Sequence, residues 1–511
     1  MAQINVANLT YEYENSFDRI FEDVSFSIDT NWKLGLLGRN GKGKTTLLHL
    51  LLGKYAYTGT ITTSTRFDYF PYEVSKEQME QCASMCLQEW KADCEEWRVI
   101  CELGRLREKA DLLYEPLKNL SHGERTKVLL AVLFSGENEF LLIDEPTNHL
   151  DCEGRKCVKE YLQKKKGYIL VSHDRDLLDA CVDHVLVLNR KSIEVQSGNF
   201  SSWWENKNRK DKFVMAENDK HLREIKNLKN VANRSRRWAE KNEGTKIGFD
   251  PVKEPERNIS TRSYIGAKTK KMQSRVTQYE RRIENEIEEK QGLLQDIENP
   301  VSLKLYPRKH PKERLLFCKN ICAGYSGSQK NVLQNFDFEL KQGERVFLQG
   351  ENGCGKSTFL QMILAQVSNS ATKQVVIKEG TIQCASGLVV SYVNQDTGFL
   401  CGSIYEFCQS RGLEEQLFLA LLRQLDMERT QFTKDLEMFS EGQKKKVLLA
   451  ASLMTPAHLY IWDEPLNYID VFSRIQLENL ILQYKPTIII VEHDSCFQEK
   501  IATRVVQLKK A

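Results

Sequence analysis

Short, uninterrupted apolar runs recur near the two ends of the chain, and a different pattern fills its middle. Phe140–Ile143, Tyr168–Val171, Leu459–Trp462 and Ile488–Val491 are such runs. Runs of this length without polar alternation predict parallel strands buried on both faces. Lys33–Leu37 and Arg345–Leu348 read as further strands, each leading into a glycine-rich loop and then a helix. In the middle, Leu222, Ile225, Leu228 and Val231 fall at helical spacing within Phe213–Ala239. Met272, Val276, Tyr279, Ile283 and Ile287 follow close to a heptad seam. Gly244, Gly248, Pro251 and Pro255 break the stretch between them, 242–263. The pattern predicts two long helices folded back as an antiparallel hairpin. The first, from Glu205 to Lys241, would reach roughly 55 Å at 1.5 Å per residue.

The apolar runs flank a series of motifs that occurs twice. Gly38, Arg39, Asn40, Gly41, Lys42, Gly43, Lys44 and Thr45 fit G-x-x-x-x-G-K-S/T, and so do Gly350, Glu351, Asn352, Gly353, Cys354, Gly355, Lys356 and Ser357. Tyr13 and Tyr325 precede them at one common offset, 312 residues apart. Ser121-x-Gly123 is repeated as Ser440-x-Gly442, Asp144-Glu145-Pro as Asp463-Glu464-Pro, and His173-Asp as His493-Asp. Five motifs in one order mark a duplicated domain. The fold class expected is α/β, with two tandem P-loop ATPase domains, 1–204 and 301–511, joined by a helical-hairpin linker, 205–300.

Composition narrows the setting. Hydrophobic residues at 41% and charged residues at 28% fit a folded chain and exclude a disordered one. No stretch approaches the roughly 18 consecutive apolar residues of a membrane span. The 14 cysteines lack the paired spacing of a zinc site and read as reduced thiols of a cytoplasmic protein. Net charge is only +3, yet Lys220–Arg275 holds 16 Lys/Arg against 6 Asp/Glu, so the remainder of the chain is acidic. Such concentration is the footprint of a polyanionic partner. Arg234, Arg236, Arg237, Lys241, Lys246, Arg257 and Arg262 are candidates to meet phosphates, with Trp238, Phe249 and Tyr264 available to stack.

The motif chemistry is that of ATP and Mg²⁺. Glycines let backbone N–H groups wrap phosphates at a helix N-terminus, where Thr46 and Thr358 also lie. Lys44 and Lys356 suit the β- and γ-phosphates, and the Thr45 and Ser357 hydroxyls suit the metal. Asp144 and Asp463, at strand carboxyl ends, are further metal candidates, and Glu145 and Glu464 candidates for general base. His173 and His493 follow the next buried strands and are expected near the γ-phosphate. Tyr13 and Tyr325 are candidate stacking faces for adenine. Ser121/Gly123 and Ser440/Gly442 have no task in their own half. In the class of ATPases these motifs resemble, such turns close over nucleotide held by the other half, which implies that ATP binds the halves together in a clamp within one monomer.

These motifs resemble the ATP-binding-cassette superfamily over about four-fifths of the chain. Asp144-Glu-Pro-Thr-Asn-His-Leu-Asp151 is similar to the hallmark of its F subfamily, and Gly198–Ser201 to that subfamily's closing strand. The resemblance implies ribosome binding without a membrane, through contacts of 220–275 with 23S rRNA and P-site tRNA. Asp463-Glu-Pro-Leu-Asn-Tyr-Ile-Asp470 departs from the hallmark. Tyr72 stands where a metal-contacting glutamine is expected, and Gln395 keeps that place in the second half. These departures resemble the branch that protects ribosomes from lincosamides, pleuromutilins and streptogramin A compounds. The same motifs also suit a translation factor with no drug role, or the motor of a transporter with a separate membrane subunit.

Overall fold

The computed structural model describes residues 3–13, 19–39, 41–137, 139–148, 150–188, 193–244, 278, 281–282, 304–325, 331–351, 353–368, 375–425, 427 and 429–509. The chain divides into two compact units, Met1–Trp203 with Val301–Ala511, and Trp204–Pro300.

The first unit holds two cassettes of one design. In the first cassette a six-stranded sheet runs in the order Arg66–Phe70, Glu139–Asp144, Tyr168–Val171, Lys33–Leu37, His184–Leu188, Ile193–Ser197. All neighbours are parallel except the last pair. In the second cassette five parallel strands follow the order Val390–Val393, Leu459–Asp463, Ile488–Val491, Arg345–Gln349, Arg504–Gln507. The uninterrupted apolar runs therefore form the central strands, and Leu459 to Trp462 are fully buried. An antiparallel three-stranded sheet accompanies each: Arg19–Asp29, Gln3–Glu12 and Thr58–Thr62, or Leu333–Lys341, Arg314–Tyr325 and Val375–Cys384. Apolar side chains of the two sheets and of the helix Lys44–Leu51 or Lys356–Ser368 fill one core.

Strand order places the chemistry. The strand before each glycine loop lies beside the strand that ends at the histidine motif, and that strand lies beside the one ending in Asp-Glu. Three adjacent carboxyl ends thus bring together segments more than 100 residues apart in sequence. Ligands bind at this edge of an open parallel sheet.

The cassettes also meet through buried charge. Arg175 of the first pairs with Glu478 of the second, both side chains almost fully enclosed. Lys500 Nζ lies 3.3 Å from the other oxygen of Glu478.

Two expectations at the linker are corrected. Gly198–Ser201 is not a strand, because the strand ends at Ser197 and a helix opens at Phe200. Gly198 makes the turn at φ 115°, and Asn199 Oδ1 accepts from Ser202 N at 3.0 Å. The helix spans Phe200–Gly244 and not Glu205–Lys241, roughly 68 Å at 1.5 Å per residue. It starts early because Phe200 and Trp203, one turn apart, are both buried, with Trp203 edge-on to Phe472. Gly244, expected to break it, is its last residue.

In the second unit, Arg234 and Arg237 are exposed on this helix, as are the apolar Leu222 and Val231. The remainder of the predicted breaker, 245–263, lies outside the described residues. So does the predicted second helix, apart from helical Gln278, Arg281 and Arg282.

Removing Arg175 leaves the buried Glu478 with only the exposed Lys500 beside it among the described residues. Arg175→Met is expected to cost about 3–5 kcal/mol, and Arg175→Met with Glu478→Leu distinctly less. Urea denaturation of the two variants against the parent chain measures both.

Candidate functional site

The two glycine loops have the same construction. Gly43 and Gly355 adopt left-handed φ of 85° and 98°. A Cβ there would come within 2.5 Å of Ile20 Cγ2 or 2.8 Å of Val332 Cγ1, so only glycine fits. Lys44 Nζ donates to Gly38 O at 2.8 Å and Arg39 O at 3.3 Å; Lys356 Nζ donates to Gly350 O at 2.7 Å and Glu351 O at 3.0 Å. Gly38, Arg39, Gly350 and Glu351 thus supply carbonyls that fix the lysine. Gly41, Lys42, Gly353 and both lysines line open cavities. Cys354 is buried, and Asn40 and Asn352 lie outside the described residues.

The Asp-Glu pairs face these loops. Thr45 Oγ1 donates to Asp144 Oδ2 at 2.9 Å, and the Ser357 hydroxyl faces Asp463 and works to lower its pKa. Burial pushes the Asp463 carboxyl up to about 6, with Glu464 adding to it, and its Oδ1 is buried without a partner. An acceptor held in that condition fits a cation. No cluster of three or more His, Cys, Asp or Glu among the described residues forms a metal cage, so phosphate oxygens would complete the coordination.

Glu145 and Glu464 both have left-handed φ, 49° and 48°, while their N–H groups donate to Val171 O and Val491 O at 2.9 Å. This conformation costs a non-glycine residue of order 1–2 kcal/mol, and it recurs where geometry is imposed by function. Glu145 Oε1 lies 3.3 Å from His173 Nε2, and its carboxyl is pushed up to about 8 by burial and then by Asp144. Burial holds the His173 imidazole well below its usual value and His493 at about 4, so both rings are neutral acceptor–donors at neutral pH. Glu464 Oε2 accepts from Gln395 Nε2 at 2.9 Å and Asn467 Nδ2 at 2.8 Å.

Each cavity is built from both cassettes. One, of about 1010 Å³, is lined by Gly43, Lys44, Thr45, Thr46, Glu145 and His173 of the first cassette and by Ser440 and Gly442 of the second. The other, of about 790 Å³, is lined by Lys356, Ser357, Thr358, Gln395, Glu464 and His493 of the second and by Ser121 and Gly123 of the first. These are sites one and two. The two serines cap the helices His122–Leu133 and Glu441–Met454. Ser121 Oγ accepts from Glu124 N at 3.2 Å and Ser440 Oγ from Gln443 N at 3.3 Å. A hydroxyl that accepts from its own helix keeps its proton for an anion in the cavity. Gly442 is required because a Cβ would meet Tyr468 Cβ at 2.9 Å.

Tyr13 and Tyr325 stand at the mouths of sites one and two, half-exposed. Their hydroxyls bond Thr46 and Thr358 at 2.9 and 3.1 Å, which fixes the rings beside the glycine loops. Tyr72 occupies the register position of Gln395, two residues beyond the strand, but it turns away. Its hydroxyl donates to Asp68 Oδ2 at 2.6 Å, and its ring stacks on Trp90. Tyr69, three residues earlier, reaches Asp144 Oδ2 at 3.4 Å instead.

Sequence reading also missed Arg155 and Arg474. Arg474 Nη1 donates to Asp494 Oδ2 at 3.0 Å, and its charge lowers both Glu145 and His173 across the junction. Arg155 does the same to His493. Their common place, four residues after Asp151 and Asp470, was the available signal.

Ser440→Ala is expected to weaken Mg·ATP binding at site one and leave site two within about twofold, and Ser121→Ala the reverse. Loss of a charge-assisted hydrogen bond corresponds to about 1.5–3 kcal/mol. Tyr72→Phe is expected to leave both sites unchanged, because its hydroxyl serves Asp68. Calorimetric titration in Lys44→Ala or Lys356→Ala backgrounds separates the sites.

Comparison with known proteins agrees with this arrangement. The family model described as ABC transporter matches residues 21–148 and 333–467. The ribosome protection protein VmlR of Bacillus subtilis is 27% identical over 508 residues, covering 97% of this chain and 85% of that protein. The erythromycin resistance ATP-binding protein MsrA of Staphylococcus epidermidis is 26% identical over 494 residues, covering 93% and 92%. Among solved structures, the archaeal ribosome recycling factor aABCE1, in complex with the ribosomal stalk protein aP1, shares the fold. It has TM-score 0.60 at 17% identity and covers 98% of this chain and 87% of that one. The F-subfamily resemblance carried by Asp144–Asp151 stands beside these relatives. Matched twice, over both glycine loops and both Asp-Glu motifs, the chain belongs to the ABC transporter family.

Proposed function

We propose that this chain is a cytoplasmic ATPase that binds ribosomes and protects the peptidyl-transferase centre from lincosamide, pleuromutilin and streptogramin A antibiotics. The observation that carries the ATPase is the shared lining of each cavity, a glycine loop from one cassette and a serine-capped helix from the other. ATP bound there bridges the cassettes, and its hydrolysis removes the bridge.

The residues divide the work. Lys44 and Lys356, with the loop N–H groups, hold the β- and γ-phosphates. Thr45 with Asp144 would hold Mg²⁺ in site one, and Ser357, Gln395 and Asp463 in site two; the ion supplies neutralisation of phosphate charge. Glu145 and Glu464 take the proton of the attacking water as its oxygen bonds the γ-phosphorus and ADP leaves. Burial and Asp144 raise the Glu145 carboxyl, so as a carboxylate it is a stronger base than an ordinary glutamate. His173 and His493 donate to the γ-phosphate, and Tyr13 and Tyr325 stack on adenine. Gln395 and Asn467 hold Glu464, whereas the backbone N–H of His173 holds Glu145, so the sites turn over unequally.

Ribosome binding is supported by the basic segment Lys220–Arg275, which suits rRNA and tRNA phosphates, and by similarity to the ribosome protection protein VmlR, and a drug role by similarity to the erythromycin resistance protein MsrA. Among the described residues no helix is long and apolar enough to cross a membrane.

The chain carrying Glu145→Gln and Glu464→Gln is expected to co-sediment with ribosomes in Mg·ATP and to lose this in high salt. Deleting 242–263 is expected to return the inhibitory concentration of lincomycin and tiamulin to that of cells without the protein, while ATP binding persists. Sedimentation with membranes and not ribosomes would favour a transporter motor. Ribosome binding without any gain in drug tolerance would favour a translation factor.

A further inference from the structure

The two cavities differ at the nucleoside end. Site one carries Tyr13 and Ile20 of the first cassette on one wall and Arg423, Met427, Arg429 and Gln431 of the second on the other. Arg423 lies in the helix Glu415–Gln424, and Arg429 in the short turn that follows it. Both side chains are exposed. Site two lacks these residues and carries Lys127 and Arg155 of the first cassette instead, engaged by Glu108 and Asp174. The 319-residue offset that relates Ser121 to Ser440 sets Gly104 opposite Arg423, Ala110 opposite Arg429 and Leu112 opposite Gln431. Glu108, opposite Met427, is held by Lys127. Helices of equal length occupy both positions, with buried Val99, Glu102 and Leu103 matching Phe418, Leu421 and Leu422, so the offset follows the fold.

A purine base lying on Tyr13 exposes its second face to this basic wall. Guanidinium planes stack on aromatic faces, and their N–H forks bond the acceptor edge of a purine. Met427, which also lines the cavity, supplies polarizable apolar contact. We infer that Arg423 and Arg429 grip the purine base of the nucleotide in site one from the opposite cassette. The base is then held on both faces in site one and on one face, by Tyr325, in site two. Residues outside the serine–glycine turn thereby make site one the tighter of the two and tie its closure to the base as well as to the phosphates. This inference rests on reading the cavities as nucleotide sites.

The test uses the full chain with one site silenced. In a Lys356→Ala background, equilibrium dialysis with labelled ATP and Mg²⁺ reads site one, and displacement by inorganic tripolyphosphate reads the phosphate contacts alone. Arg423→Ala with Arg429→Ala is expected to weaken ATP about tenfold and tripolyphosphate less than about twofold. Arg423→Lys with Arg429→Lys, which keeps charge but loses the plane, is expected to remain weakened. In a Lys44→Ala background the same alanine pair is expected to leave ATP binding at site two unchanged. Unchanged ATP affinity at site one, equal losses for ATP and tripolyphosphate, or full recovery by the lysine pair would each overturn the inference while leaving the ATPase reading intact. A Lys356→Ala chain that binds no ATP would remove the ATPase reading of site one itself.

Discussion

A triphosphate is a polyanion, and neither cassette surrounds one alone. Each glycine loop offers N–H groups, a lysine and a hydroxyl from one side only. The opposing side comes from a helix N-terminus capped by Ser440 or Ser121, brought in by the other cassette. Anion binding at helix ends decays within the first turn, so the benefit exists only at close approach. The mixed lining of the two cavities meets that requirement under the proposed function. Arg155 and Arg474 extend it, since each sits on one cassette and biases the charges of the other's centre.

Duplication made the two centres alike, and local substitution has made them different. Both glutamates are held in left-handed backbone, a strain shared by the pair. Around them the partners diverge. Glu464 is met by two side-chain amides, Glu145 by the backbone N–H of His173, and the register position of Gln395 holds a tyrosine committed to Asp68. The interface is lopsided too. Arg175 crosses to Glu478, while at the matching positions Ser495 and Lys159 offer no such pair, and Lys159 turns instead to Asp176. A charge pair this buried resists separation on one side of the junction only.

The duplicated motifs were legible because phosphate and metal chemistry demands fixed residue types at fixed local spacing. Glycines at Gly43 and Gly355, the lysines after them and the Asp-Glu pairs at buried strand ends need no tertiary information to be recognised. The apolar runs likewise announced the central strands, since a strand covered on both faces tolerates no polar residue. The limits appeared where a residue's role depends on a neighbour distant in sequence. Tyr72 read as the substitute for a glutamine, yet Asp68 and Trp90 claim it and Tyr69 reaches Asp144. The linker helix began five residues before the expected start, because Phe200 and Trp203 are buried against the cassettes.

Short-range pattern encodes the two α/β cassettes, the glycine loops, the acidic pairs and the basic middle segment. Only the tertiary structure decided the strand order that gathers three distant segments at one sheet edge, the mixed lining of each cavity, the Arg175–Glu478 pair and the basic wall of site one. The physical reason is that periodicity and spacing report on bonds a residue makes with its own turn or strand. Burial and charge pairing are settled by surfaces that meet only after the chain has folded.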